Sequence, residues 1–298
     1  MLQYLRFWRE RGWTAIDSAA YAEAWRRLGG SVITHPDIVE RLATLVGIPV
    51  RYLGWQQGGE LVAAIPCWGR HLALSKEVLK QAGKKRFFDL GNAEVILPIA
   101  EHACVPVRQQ IPYVSEVNKA RIATLRAQSD ELAFARPPEN YKGRYRYNLR
   151  RDLRLIKEAG GEVRPIGEFA TLERARIYAQ LFEKRWKFEV PGKANLVEVF
   201  DLLQEFMAGS VVLLEGRPIA IQILYRVESP QWISMEYING GFDPDCDKYA
   251  PGSVLTFVNT QAAWDEARAL GKQLRYSFGR ADREYKDLWC HRAPVYQV

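Results

Sequence analysis

The residues best placed by type and spacing to do chemistry lie near the end of the chain, in Phe278-Gly-Arg-Ala-Asp-Arg-Glu-Tyr-Lys-Asp-Leu-Trp289. A short β-type run, Leu274 to Phe278, reads as the last strand and breaks on Gly279. Of the ten residues 280–289, eight are charged or aromatic, with Ala281 and Leu288 the exceptions. A buried strand ending on glycine is a common way to carry polar groups to a pocket rim. The solvated start of a C-terminal helix accounts for the same charges, and both readings stand at this level. Asp282 and Glu284 are carboxylates of the kind that serve as general bases, and Tyr285 is a hydrogen-bond donor. The competing account for each is a surface ion pair, worth about 0–1 kcal/mol.

A second chemical stretch follows the Pro-rich joint Ala135-Arg-Pro-Pro-Glu-Asn140. From Lys142 to Lys157 there are seven basic residues and one acid, Asp152. Leu149, Leu153 and Ile156 recur at helical spacing, and Gly160-Gly161 supplies a stop. Arg144, Arg146, Asn148, Arg150 and Arg151 therefore ride on a helix, with Tyr141, Tyr145 and Tyr147 interleaved. Guanidinium groups pair well with phosphates, and aromatic rings stack on bases or sugars. A solvated basic face of a structural helix is the plain alternative; the density of charge favours phosphate.

Other chemistries are set aside. His35, His71, His102 and His291 have no metal-ligand spacing, so no metal site is expected. Asp243, Asp245 and Asp247 resemble the start of a calcium loop, but Lys248 stands at the glycine position and Val254 at the last acid. No Walker loop, G-x-G-x-x-G or G-x-S-x-G is present.

The elements that must position these groups show an internal repeat. Tyr21-Ala-Glu-Ala-Trp25 matches Tyr178-Ala-Gln-Leu-Phe182, and the hairpin around Gly58-Gly59 matches the one around Gly216, both at an offset of 157. Ala82-Gly-Lys-Lys-Arg-Phe-Phe-Asp-Leu-Gly91-Asn-Ala echoes Leu270 to Ala281 at an offset of 188, so the second copy holds 31 more residues. Those residues read as a strand from Gln231 to Ile238, a turn at Asn239-Gly240-Gly241, a loop from Asp243, and a helix from Ser253 to about Leu270. The pattern is a mixed α/β (α+β) unit with an antiparallel hairpin and a helical crossover into the final strand.

The whole chain has 298 residues, 48% hydrophobic and 12% aromatic, enough for two cores. Its net charge of +7 suits a phosphorylated, nucleic-acid or anionic-membrane partner. Cys67, Cys104, Cys246 and Cys290 form no C-x-x-C pair, and nothing at the start reads as a signal peptide, so free thiols in a reducing cytoplasm are expected. The opening segment, with Leu2, Leu5, Phe7 and Trp8 among Arg6, Arg9 and Arg11, suits either an anionic membrane interface or a helix packed on its own domain.

Four segments, in order, carry a family resemblance: Arg144 to Arg154, Leu214-Glu-Gly-Arg-Pro-Ile-Ala, Tyr249-Ala-Pro-Gly-Ser-Val-Leu, and Phe278 to Trp289. Their order resembles the Fem-like branch of the GNAT-type N-acyltransferases. Trp8-Arg-Glu-Arg-Gly-Trp13, Leu90-Gly-Asn-Ala-Glu94 and Arg275 to Lys286 give a closer match. Through them the chain resembles, over nearly its whole length, the macrophage-inducible antimicrobial-peptide-resistance proteins of Gram-negative bacteria. The resemblance implies two tandem GNAT-like domains, each a mixed, mostly antiparallel sheet flanked by helices: a shortened one at 1–137 and a Fem-like one at 138–298 that begins with the basic helix. It also implies a cytoplasmic protein peripherally associated with the inner membrane, with a role in surviving cationic peptides.

Fem-like enzymes move an amino acid from aminoacyl-tRNA to an amine, and GNAT relatives move an acyl group from acyl-CoA. The resemblance places Lys286 at the reaction centre, to stabilise an oxyanion or hold a carboxylate. Arg280, Tyr249 and Ser253 join the helix residues as expected substrate or phosphate contacts. Where acyl-CoA enzymes carry a glycine-rich pyrophosphate loop, this chain reads Lys248-Tyr-Ala-Pro251-Gly252-Ser253, with one glycine and a proline that has no N–H. A tRNA-borne donor is thereby favoured over acyl-CoA, with no tightly bound cofactor. The expected partners are tRNA, an anionic envelope lipid or amino-sugar acceptor such as that of lipopolysaccharide, and a peripheral membrane contact. The expectation from a different class is a non-catalytic, membrane-associated scaffold that binds antimicrobial peptide or anionic lipid.

Overall fold

The computed structural model describes residues 7–298. The Met1–Arg6 part of the proposed interfacial segment, with Leu2 and Leu5, lies outside the described residues. Within the rest of it, Phe7 and Trp8 are exposed and the Arg108 guanidinium lies 5.0 Å from the Trp8 ring.

The N-terminal half holds a four-stranded antiparallel sheet in sequence order: β1 (Thr14–Ile16), β2 (Arg51–Gln57), β3 (Glu60–Trp68) and β4 (His71–Leu72). Helix α1 (Ser18–Leu28) starts on Asp17, whose side chain accepts from the Ala20 N–H at 2.7 Å. Helix α2 (Pro36–Val46) starts with proline in its first turn and ends on left-handed Gly47. Tyr21 and Trp25 from α1 and Ile38, Val39 and Leu42 from α2 share one core with Ala64 and Trp68 of β3. Burying each large side chain contributes about 1.5–3 kcal/mol before conformational entropy is subtracted. A short helix, α3 (Lys76–Gln81), follows. A long irregular run then covers the sheet, with Val95, Leu97, Ile99, Val105 and Ile111 packed against Leu53, Ala63 and Ile65.

Next come β5 (Arg126–Ala135), α4 (Gly143–Glu158), β6 (Gly161–Pro165), α5 (Thr171–Trp186), α6 (Leu196–Leu202) and β7 (Met207–Ala208). They are followed by β8 (Ser210–Leu214), β9 (Arg217–Glu228), β10 (Trp232–Phe242), α7 (Pro251–Ala269), β11 (Gln273–Arg280) and β12 (Cys290–Gln297). The second sheet has eight strands in the order β12-β5-β11-β10-β9-β8-β6, with β7 paired to β9. Among the described strands β10 and β11 are the one parallel pair, and α7 connects them. The architecture is α+β: two mixed, largely antiparallel sheets flanked by helices.

Both hairpins, the helical crossover and the basic helix form where the sequence places them. The offset of 157 joins like elements: Tyr21 and Tyr178 are buried on α1 and α5, and Gly59 and Gly216 sit in the two hairpin turns at φ 83° and 76°.

Three expectations are corrected. The run Ala82 to Gly91, whose echo of Leu270 to Gly279 implies a matching strand, forms none: Arg86 takes a left-handed φ of 59° and interrupts extension. Asn239-Gly240-Gly241 is not a turn: β10 continues to Phe242 through a bulge between Tyr237 and Asn239. The glycine is needed for packing, since a Cβ on Gly241 would stand 2.3 Å from the backbone of Leu181 and Phe182 in α5. β11 is not the last strand; β12 follows and pairs with β5. β5, which precedes the Pro-rich joint, pairs with β11 and β12 in the second sheet.

Candidate functional site

The parallel pairing of β10 with β11 runs from Trp232↔Gln273 to Glu236↔Ser277 and stops there. The next residues, Tyr237 and Phe278, stack their rings at 5.1 Å and line a two-lobed cleft. One lobe, of about 360 Å³, is lined by Tyr145, Gln222, Ser253, Thr256 and Trp289. The other, of about 300 Å³, is lined by Asp89, Asn92, Asn239, Gly279, Arg280 and Asp282. Arg185, Tyr237, Phe278, Tyr285 and Lys286 belong to both. The junction is therefore cationic and aromatic.

Lys286 lies in the turn after β11, and its ammonium donates to the carbonyls of Phe278 at 3.0 Å and Arg280 at 2.5 Å. Asp282 Oδ1 is 3.4 Å away. The carbonyls hold a positive charge at the strand end, with the Lys286 side chain only 12% exposed. Arg185, from the last turn of α5, donates to Gly240 O at 3.1 Å. Its guanidinium lies over the Trp186 and Phe242 rings at 4.4 and 5.1 Å. Burial raises the Tyr237 phenol above its ordinary range, with the charge of Arg185 opposing it, so the phenol stays a protonated donor at neutral pH.

The first lobe reaches the N-terminus of α7. Ala250 precedes that helix in a left-handed conformation, φ 45°, and its side chain gives no cap. The first-turn N–H groups of a helix have no intrahelical partner, so those of Gly252 and Ser253, which line the lobe, are donors for an anionic or carbonyl group. A polar ladder holds this helix start against the sheet. Gln222 donates to Thr256 Oγ1 at 2.7 Å and accepts from Asn259 at 2.8 Å, and Ser210 donates to Asn259 Oδ1 at 2.8 Å. The loop before α7 is pinned by Asp243, which pairs with Lys184 at 2.8 Å and Arg217 at 2.7 Å. The Lys184 hydrogen bond, with that of Arg217, pulls the Asp243 carboxyl below its ordinary range.

Behind the cleft a buried polar cluster joins the two halves. Arg275 of β11 grips Glu94 with two nitrogens, Nε at 2.8 Å and Nη2, and also donates to Ser115 Oγ at 3.2 Å. Glu236 accepts from the Glu94 N–H at 2.8 Å. Burial, then the neighbouring Glu94 charge, pushes the Glu236 carboxyl well above its ordinary range, which favours its protonated form.

Of the expected site residues, Lys286, Tyr285, Asp282, Arg280 and Ser253 line the cleft. Arg280 is engaged with Asp130 at 2.9 Å. Glu284 is exposed and lines neither lobe. Tyr249 is half-buried, packs into the core under α7 with Lys248 4.9 Å over its ring, and does not face the cleft. On α4, only Tyr145 reaches a lobe, stacking on Trp289 at 6.5 Å. Tyr141 is 4% exposed, which leaves Tyr147, 64% exposed, as the open ring of the three. Arg144 and Arg150 face outward, Asn148 is half-buried, Arg146 donates to Glu139 O at 2.8 Å, and Arg151 pairs with Asp152 at 2.8 Å. The helix forms a basic surface next to the cleft; its cations do not line it.

The sequence reading missed Arg185, Tyr237 and Gln222, which lie on elements whose patterns report packing alone. Asn92 had a signal in Leu90-Gly-Asn-Ala-Glu94, whose partner in space is Gly279, with a Cβ there 4.0 Å from Asn92 Cβ. Among the described residues no helix is long and apolar enough to cross a membrane. Cys67, Cys246 and Cys290 are buried free thiols and Cys104 an exposed one.

Solved structures share the fold. FemX superposes with a TM-score of 0.58 at 10% identity, over 96% of each chain. The C-terminal domain of a protein described as a lysylphosphatidylglycerol synthetase from Agrobacterium fabrum gives 0.53 at 13% identity, over 94% of this chain and 92% of that one. A tandem GNAT protein from the clavulanic acid biosynthesis pathway gives 0.45 at 8% identity, over 96% and 97%. Among curated proteins no sequence matches. The Mig-14 family model matches residues 35–298, nearly the whole chain, and the protein belongs to the Mig-14 family.

Proposed function

We propose that the protein is an aminoacyl or acyl transferase that modifies an amine of the cell envelope, with aminoacyl-tRNA favoured as donor. One observation carries the reading: two lobes meet at Lys286 and Arg185, where the parallel strands part. Donor and acceptor entering from opposite lobes would bring ester carbonyl and amine together at a fixed cation. The amine forms the new C–N bond, the ester C–O bond breaks, and the amine proton passes to the leaving hydroxyl. Lys286 would supply the positive charge, and the Tyr237 and Tyr285 phenols the hydrogen-bond donors, near the developing oxyanion. Asp282 is the carboxylate of the proposed set that lines the acceptor-side lobe and would take the amine proton; Glu284 stands outside it.

The donor lobe reaches the α7 N-terminus, where Pro251 occupies the first turn and Ala250 is left-handed. That leaves fewer N–H groups for a pyrophosphate than a glycine-rich loop supplies, which supports tRNA over acyl-CoA. The exposed cations Arg144 and Arg150 are carried by α4, the helix whose Tyr145 lines that lobe, and suit tRNA phosphates. The acceptor is read as an amine on an anionic envelope lipid, such as an amino sugar of lipopolysaccharide, at the inner membrane. Adding an amino acid there keeps or adds positive charge and weakens attraction for cationic peptides. The functional domains proposed are 1–137 and 138–298, with β5 lent to the second sheet.

The test compares lipopolysaccharide and peptidoglycan by mass spectrometry in cells with the protein, without it, and with Lys286→Ala. The expected result is a mass increment of an amino-acid or acyl residue, lost without the protein and reduced about 100-fold or more in Lys286→Ala at equal protein level. Identical envelopes in all three strains would overturn the transferase and leave a non-catalytic scaffold.

A further inference from the structure

The N-terminal half contains a cavity of about 570 Å³ that borders the acceptor-side lobe and includes none of the residues given roles in the reaction proposed above. Leu72, Leu74, Leu79, Phe88, Leu90 and Ile111 form its wall, all 8% exposed or less. That volume falls within the roughly 300–1,000 Å³ of small-molecule sites. His71 is the buried titratable group inside it, and burial, with Arg70 alongside, lowers its pKa, so the imidazole is neutral at neutral pH. The wall is mainly apolar, with Gln110 and Gln297 among its polar members.

Two non-glycine residues of the wall, Leu74 and Tyr113, sit in left-handed backbone at φ 64° and 57°. Such conformations persist where the surrounding structure holds them in place, and they gather at ligand sites. The mouth is different in character. Lys76 and Arg126 are exposed there, with Glu77 the acid beside them. Along α3 and the turn after it, Lys80, Lys85 and Arg86 extend the exposed positive charge. Finally, Lys76, Gly91 and Asn92 belong both to this cavity and to the acceptor-side lobe, with the Lys76 ammonium 3.2 Å from Asn92 Oδ1. An apolar chamber with a cationic lip thus opens beside the cleft that ends at Lys286.

From this we infer that the chamber takes one acyl chain of an anionic membrane lipid, whose headgroup lies against Lys76 and points into the acceptor-side lobe. The apolar wall recognises the chain by burial of methylene groups, and the lip recognises the negative headgroup at a membrane surface. The inference deepens the transferase reading by naming the acceptor as a chain-bearing lipid, and it rests on that reading only for the direction of the headgroup.

The experiment uses the full chain and the fluorescent fatty acid cis-parinaric acid. Saturable binding is expected, displaced by phosphatidylglycerol and not by glycerol phosphate. Ala93→Trp fills the chamber from a buried wall position. It should weaken binding about tenfold or more with an unchanged melting temperature. If that variant does not fold, Ala73→Phe, at a second buried wall position, takes its place. Lys80→Glu combined with Lys85→Glu should reduce co-sedimentation with phosphatidylglycerol vesicles while leaving phosphatidylcholine vesicles unbound, as in the wild type. Lys286→Ala should bind the probe as the wild type does. No saturable binding, binding indifferent to both cavity-filling variants, or displacement by glycerol phosphate overturns the chamber. Transfer to a soluble, chain-free amine at the same rate as to a lipid would overturn the acceptor assignment and leave the transferase intact. Probe binding with an unmodified envelope would do the reverse.

Discussion

Replacing Arg275 by methionine tests how the two halves of the molecule are held behind the cleft. The guanidinium is the cation that meets Glu94, whose side chain is 1% exposed, and its own side chain is 13% exposed. It also donates to Ser115 and lies 5.0 Å from the Phe134 ring. Arg275→Met keeps most of the apolar contact and removes the charge. Glu94 is then buried without a partner and beside Glu236, whose oxygen is 2.8 Å from the Glu94 N–H. Breaking a buried pair on one side costs about 3–5 kcal/mol. For a chain of this size that corresponds to a fall in melting temperature on the order of 10 °C. Combining Arg275→Met with Glu94→Leu removes both charges and should recover much of the loss, since the destabilisation comes from the stranded carboxylate. Urea unfolding and calorimetry at pH 7 on the wild type, both single variants and the double variant measure the coupling. A loss below about 1 kcal/mol for Arg275→Met, or a double variant equal to the sum of the singles, would refute the argument.

Four further outcomes are expected. Glu236→Gln should flatten the pH dependence of stability. The native carboxyl has a raised pKa, so the folded state binds the extra proton and stability falls as pH rises above the ordinary carboxylate range. Each unit of that shift is about 1.4 kcal/mol, and melting curves from about pH 5 to 8 should show the wild type declining against the variant. Gly241→Ala should lose about 3 kcal/mol or fail to fold, because the new methyl meets the backbone of α5 at 2.3 Å; expression and melting curves decide it. Tyr285→Ala, at a side chain 49% exposed on the cleft rim, should lower transfer while leaving the melting temperature within about 1 °C. Arg144→Glu with Arg150→Glu should weaken tRNA binding at low salt and reduce the slope of log affinity against log salt by about 1–2, read by filter binding.

What the sequence carried about this protein is mostly local. The stripe of Leu149 and Ile156 set against glycines 160 and 161 specifies the basic helix, and the Glu215-Gly216 turn specifies the β8–β9 hairpin. In both cases periodicity and a backbone that tolerates positive φ are written within a few residues. The run from Phe278 to Lys286 was legible as a strand end followed by polar groups for the same reason. Its role as a cleft edge, however, depends on β10 stopping its pairing at Glu236, beside a bulge and two glycines, Gly240 pressed on β9 and Gly241 on α5. Those glycines read as a turn in sequence because close approach to another element leaves no local trace. Tyr141 and Tyr145 looked like stacking rings for the same want of context; packing against Trp289 and the core takes them up.

The meeting of Glu94 with Arg275, of Asn92 with Gly279, and the insertion of β5 between β11 and β12 were decided by tertiary structure alone. Each joins residues more than a hundred positions apart, where chain propensity has no influence and burial, charge pairing and sheet closure choose the partner.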